Sequence, residues 1–182
     1  MKKELSYFET ISMIDEIKKT FEKQIEKRLG LTKVGSPLFV KKSSGLQDDL
    51  SGKEEAVSFT KEEEKFEIVH SLAKWKREAL GKYAFPLHTG LYTDMKAIRK
   101  DEEVDATHSL YVEQWDWEKV IDKSDRTIDY LKETVKSIYK SIRQTSIIMK
   151  QKYHFLSLDL PKTIYFITSQ ELEDLYPDKT PK

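Results

Sequence analysis

The chain has 182 residues, 38% hydrophobic and 35% charged, with 32 basic residues against 32 acidic ones and no cysteine. That length suits one domain with a real core. Zero net charge gives no overall footprint for nucleic acid or an anionic membrane, and the lack of cysteine removes disulfides, thiolate metal sites and cysteine nucleophiles.

The opening MKKELSYFETISMIDEIKK is broken by charges every few residues, so it lacks the apolar run of a signal peptide. No apolar run approaches the roughly 20 residues that span a bilayer. A cytoplasmic protein without membrane contact is expected. From Glu9 to Leu29, the residues Ile11, Ile14, Phe21, Ile25 and Leu29 recur at helical spacing, and Gly30 suits a left-handed helix end. Leu31 to Val40 contains Pro37, which has no amide for a central ladder, so an edge strand, an interrupted strand or an interface is predicted.

Lys41 to Lys53 reads as a polar loop around SSGLQDDLSG. It is a surface turn, or a loop that brings the Asp48 carboxylate to a small cation such as ammonium. Lys61 to Lys65 reads as a solvated turn before a short strand, Phe66 to Val69. Ser71 sits where a helix should begin, with Leu72, Trp75 and Ala79 at helical spacing and Lys74, Lys76 and Arg77 on the other faces. Those three cations form a solvated face, or line a helix start suited to an anion. His70 and His108 suit packed, hydrogen-bonded positions, and His88 and His154 have no metal-ligand spacing.

Tyr83 to Leu91 is a turn region that feeds two strand-like runs, Gly90 to Arg99 and Ser109 to Glu118, joined by the acidic connection Lys100 to Thr107. They are predicted to pair antiparallel. In the second run Leu110, Val112, Gln114 and Asp116 share one face, and Tyr111, Glu113, Trp115 and Trp117 the other. Gln and Asp in line with Leu and Val point to a ligand, with Arg99 as the matching positive charge. Ser124 or Asp125 is predicted to cap a helix reaching about Met149, whose stripe of Ile128, Leu131, Val135, Ile138 and Ile142 would pack on the sheet. Tyr153 to Leu160 is irregular, Thr163 to Thr168 reads as a strand, and Ser169 as the cap of a short helix to about Leu175. The sequence contains no phosphate loop, GxGxxG turn, GxSxG elbow or HExxH helix.

Taken together, Gln47 to Gly52, Val69 to Arg77, Tyr92 to Glu102, His108 to Glu118 and Ser169 to Leu172 resemble the ammonia-dependent asparagine synthetases, the AMP-forming aspartate–ammonia ligases. The resemblance implies an α+β fold, with a central, mainly antiparallel sheet flanked by helices as in the class II aminoacyl-tRNA synthetases. It forms a single partial catalytic domain over residues 1–182. It also implies a β-aspartyl-adenylate made from ATP and aspartate, with Mg²⁺, from which ammonia displaces AMP. Matched position by position, it makes Asp48, Arg99 and Gln114 catalytic and assigns the aspartate substrate to Ser71, Lys76 and Asp116. The nucleotide falls to Arg99, Asp101 and Glu102, and metal ligands are left unassigned. A homodimer through residues 9–40 is implied, with no nucleic acid or membrane partner. Members of that family run to nearly twice this length, so the chain resembles roughly the N-terminal half and is expected to be weak or inactive alone. Two other readings stand beside it. One is a synthetase-like protein that handles an amino acid for tRNA; the other is a non-catalytic dimerisation fragment.

Overall fold

The computed structural model describes residues 4–180. Ser6 opens the first helix, α1 (Tyr7–Leu29). Its hydroxyl accepts from the Glu9 amide while the Glu9 carboxylate accepts from the Ser6 amide, so two free donors of the first turn are satisfied together. Gly30 ends the helix at φ 67°, as predicted. Of the predicted stripe, Phe21, Ile25 and Leu29 pack inward, whereas Ile11 and Ile14 are exposed.

The segment with Pro37 is an interrupted strand whose two pieces join different sheets. β1 (Leu31–Lys33) runs parallel to β5 (Gly90–Ile98), which pairs antiparallel with β6 (Tyr111–Lys119). β2 (Phe39–Lys41) runs antiparallel to β4 (Glu64–Ile68), whose other edge carries β3 (Ser58–Lys61). The α+β class holds; among the described residues the strands form two three-stranded sheets, and the one that holds β5 and β6 is mixed, with its nine-residue pair antiparallel and its three-residue pair parallel. The solvated turn expected over Lys61 to Lys65 is present at Glu62 and Glu63, and the strand before it, β3, which was not expected, makes it the turn of a hairpin. Glu62 and Glu63 both take positive φ there, the backbone of a tight two-residue connection. No Asn-Gly or Asp-Gly pair announces it. The hairpin is held by Phe59 stacked on Phe66, with Phe39 edge-on to both.

The β5–β6 pair is in register as Thr93 with Asp116 and Met95 with Gln114. One face of the pair carries Trp115, Trp117 and Tyr92, which pack against Phe21, Ile25 and Leu29 of α1. The opposite face carries Met95 and Ala97, packed with Val40, Val69 and Leu72 at the start of α2 (Ala73–Lys82). At Gly90 the β6 backbone leaves no room for a side chain. A Cβ there would drive into the Glu118 carbonyl and Lys119 Cα of the paired backbone. Gly90→Ala is expected to cost about 1–3 kcal/mol of stability, seen as a lower urea midpoint at unchanged slope; an unchanged midpoint would mean that the strands can separate there without loss.

α3 (Ile128–Lys152) corrects two expectations. Its cap is Thr127, whose hydroxyl accepts from the Tyr130 amide; Ser124 and Asp125 belong to a separate 3-10 turn capped by Asp122. The helix packs chiefly along α1, burying Ser141, Thr145 and Met149. Only Ile138 of the predicted stripe joins the cluster around Tyr92, while Ile128 and Leu131 face solvent. Thr163 to Thr168 forms no strand, and among the described residues no strand pairs with it. Thr168, not Ser169, caps α4 (Ser169–Leu175), through a reciprocal pair with Glu171. Among the described residues no helix is long and apolar enough to cross a membrane.

Candidate active site

Because side chains alternate along a strand, the register places Arg99, Gln114 and Asp116 on the same face of the β5–β6 pair, towards α2. α2 meets that face with Lys76. The Lys76 side chain is wholly buried, a rare state for an ammonium. Its charge is answered by the Asp116 carboxylate, and its buried nitrogen makes no other hydrogen bond. Asp116 also accepts from the Leu72 amide at 3.3 Å, one of the free donors at the start of α2. The two residues assigned by resemblance to opposite charges of an amino acid are therefore paired with each other. The solvated-face reading of Lys76 fails, since packing against β6 removes it from water. Ser71 lies beside them. Its hydroxyl accepts from the Ala73 amide at 3.2 Å, and the helix cap is Leu72, one residue after the predicted Ser71.

Arg99 extends β5 by one ladder bond, its amide donating to the Leu110 carbonyl at 2.9 Å. Its side chain lines a cavity of about 430 Å³ together with Glu54, His70, Lys100, Asp101 and Glu102. The guanidinium reaches only to 3.9 Å from Glu102, and its Nε is buried without a hydrogen-bond partner. A fork with an unused buried donor is suited to a bidentate anion such as carboxylate or phosphate. Asp101 is engaged differently, accepting from the Glu55 amide at 2.9 Å. Lys100 pairs with Glu55 at 3.0 Å and holds the Glu55 carboxyl below its ordinary range. These two contacts fasten the β5–β6 connection to the loop before β3.

Asp48 lies in an adjoining cavity of about 610 Å³, which shares Glu54, His70 and Lys100 with the first. Its position is set by Gln47, a residue that sequence reading used only as part of a motif. The Gln47 amide donates to the Ile68 carbonyl at 2.8 Å and accepts from the His70 amide at 3.1 Å. His70, expected to be packed and hydrogen-bonded, is buried and lines both cavities, yet its Nδ1 has no partner. The signal for both was weak, since neither residue type nor spacing marks a side chain that bridges two loops. The structure thus gathers Arg99, Asp101 and Glu102 in one cavity, Asp48 in the next, and Ser71, Lys76, Gln114 and Asp116 where the α2 start meets the sheet.

The β5–β6 connection is braced by Asp105, whose carboxylate accepts from the Thr107 amide at 2.6 Å and the His108 amide at 2.7 Å, with the His108 ring at 2.9 Å. These bonds, that from Thr107 foremost, hold the Asp105 carboxyl well below the ordinary carboxylate range. A carboxyl lowered on folding lends order that is complete above its unfolded pKa and is lost as pH falls through the folded one. The Thr107 and His108 amide resonances should therefore stay fixed as pH falls through the ordinary carboxylate range and move only below it. Movement within that range would mean that the brace is not formed in solution.

A match to the aspartate-ammonia ligase family covers residues 8–182. The chain is 55% identical over 176 residues to an aspartate–ammonia ligase of Bacillus cytotoxicus, covering 96% of this chain and 54% of that one. It is 55% identical over 181 residues to one of Clostridium perfringens, covering 98% and 54%. Another of Bacillus mycoides is 55% identical over 176 residues, covering 96% and 54%. The chain thus spans about half the length of the relatives it matches. The cavity chemistry and this likeness over nearly every residue lead to one conclusion: the chain belongs to the aspartate–ammonia ligase family.

Proposed function

We propose that the chain serves the synthesis of L-asparagine from L-aspartate, ammonia and ATP. The observation that carries this reading is Arg99, whose buried Nε is unpartnered at an open cavity on the sheet face it shares with Gln114 and Asp116. In the first step the β-carboxylate oxygen of aspartate bonds to the α-phosphorus of ATP and pyrophosphate leaves. In the second, the nitrogen of ammonia bonds to the acyl carbon, the acyl–oxygen bond breaks with its electron pair on AMP, and protons leave the nitrogen. Both steps crowd negative charge around one phosphate, which the Arg99 fork counters. Asp101 and Glu102 border the nucleotide, Asp48 receives the ammonium, and Gln114 offers an uncharged amide beside the acyl group. An α-amino acid carries both charges of the Lys76–Asp116 pair. It enters by replacing that one pair with two, its carboxylate to Lys76 and Ser71 and its ammonium to Asp116.

The family's reaction implies Mg²⁺ as well. Among the described residues no three His, Asp or Glu side chains are gathered to hold a metal ion, so the residues present do not fit a protein-built cage. Mg²⁺ held by phosphate oxygens and water needs none. The chain is read as a single partial catalytic domain of the class II synthetase type, cytoplasmic, and dimeric through residues 9–40, where Ile11, Ile14, Leu38 and Phe39 are exposed.

The test is product analysis with ATP, Mg²⁺, aspartate and ammonium, for the chain alone and for the chain co-expressed with the segment of the Bacillus cytotoxicus relative outside the match. Equal AMP and asparagine are expected, formed slowly if at all by the chain alone and faster in the second arm. ADP in place of AMP, AMP without asparagine, or no product in both arms would overturn the reading.

A further inference from the structure

His70 is 2% exposed, and its Nδ1 is buried without a hydrogen-bond partner. A nitrogen in that position is costly to the fold unless a ligand meets it. Three residues border both the cavity of Arg99 and that of Asp48, and two of them are committed: Lys100 to the Glu55 carboxylate at 3.0 Å, and Glu54 to the Ser51 hydroxyl at 2.8 Å. The third is His70. With its proton on Nε2, the neutral ring offers Nδ1 as an acceptor.

Gln47 ties the ring's residue to Asp48. Its side-chain oxygen accepts from the Asp48 amide at 3.2 Å and from the His70 amide at 3.1 Å, so the two backbones meet at one atom. The other charges around them are largely answered. Lys42 lies 3.6 Å from Glu67 and Lys74 3.3 Å from Asp49, with Lys65 beside them; across the wall, Arg99 faces Glu102, and Asp101 and Glu103 complete the lining. Among the described residues no cation pairs with Asp48, whose carboxylate accepts from the Leu50 amide at 3.2 Å. A small cation in this cavity therefore meets an unpaired carboxylate, and beside it a base.

We propose that His70 is the proton acceptor of the ammonia step: Asp48 holds ammonium by charge, and Nδ1 of His70 takes one of its protons at the wall shared with the Arg99 cavity. The proposal rests on the roles given above to Asp48 and Arg99. Ammonium has no lone pair, so a site that only bound it would hold it inert. Once the proton is on His70, the freed pair forms the bond to the acyl carbon and the acyl–oxygen bond breaks with its electrons on AMP. A second proton passes from the nitrogen to the departing phosphate, which leaves the neutral amide. The charge gained by the ring faces the Asp48 carboxylate, which favours it.

The first test compares ammonium with hydroxylamine, a nucleophile already neutral near neutral pH, using the chain co-expressed with the segment of the Bacillus cytotoxicus relative outside the match. His70→Gln should lower kcat/KM for ammonium about 10²-fold or more and that for hydroxylamine far less, so that aspartyl hydroxamate still forms. Equal losses with the two nucleophiles would make His70 a structural residue, and no loss with ammonium would remove it from the step. The second test needs no turnover. In the chain carrying ¹⁵N-labelled histidine, ammonium should move the Nδ1 resonance of His70, whereas potassium, with the same charge, nearly the same size and no proton to give, should not. Asp48→Asn should abolish the response. A resonance that stays fixed, moves alike with both ions, or still responds in Asp48→Asn overturns the proposal. Product with a fixed resonance counts against His70 alone, and a moved resonance without product counts against the catalytic reading alone.

Discussion

Arg99→Ala should lower the rate of asparagine formation by about 10²–10³-fold or more, the range seen when one preorganised charge-stabilising donor is removed from a reacting centre. The expectation rests on how the side chain is held. Its Nε is buried and unpartnered, and Glu102 at 3.9 Å answers only part of its charge. The guanidinium therefore faces the cavity with capacity to spare, and removing it leaves Lys100 as the cation nearest in sequence, committed to Glu55. Arg99→Lys sharpens the test. A lysine keeps the charge but loses the planar fork, so it should recover only a small part of the lost rate if bidentate contact matters. Because both chemical steps use the same phosphate, the loss should appear in kcat/KM for ATP and for ammonia together. Full activity in Arg99→Ala would remove Arg99 from the chemistry.

The largest expected effect on stability is at the Lys76–Asp116 pair. Asp116→Ala leaves the Lys76 ammonium wholly buried without its counter-charge, which costs about 3–5 kcal/mol. Lys76→Met should cost much less, since Asp116 is partly exposed and keeps the Leu72 amide as a donor. In the double variant no unpaired charge remains, so it should be more stable than Asp116→Ala alone. Urea unfolding of the four proteins measures the coupling. Simple additivity of the two single effects would show that the pair is not formed in solution. A pair retained at this cost of desolvation has a use that packing does not explain, and the proposed exchange with a zwitterionic substrate supplies one.

Local pattern revealed much of this fold, and partnership the rest. The α1 stripe, its Gly30 stop and the pairing of β5 with β6 could be read directly, because each depends on neighbours within one or two turns or one strand length. The face shared by Arg99, Gln114 and Asp116 follows from strand alternation alone. What could not be read depended on what lay opposite. β3 exists because Phe59 finds Phe66, Thr163 to Thr168 stays irregular beside α3 with no strand paired to it among the described residues, and Lys76 looked solvated until α2 was laid on β6. The α3 stripe was correctly seen, but its first turns lie beyond the edge of the sheet it was expected to cover.

Gln47 uses its side-chain amide as a strand would use a peptide group, giving a donor to Ile68 and taking one from His70. The loop bearing Asp48 is in effect spliced onto the end of the second sheet without contributing a strand to it. The two walls of that cavity are therefore geared together. A shift at the junction between β4 and α2 is passed to the Asp48 loop through the Gln47 side chain.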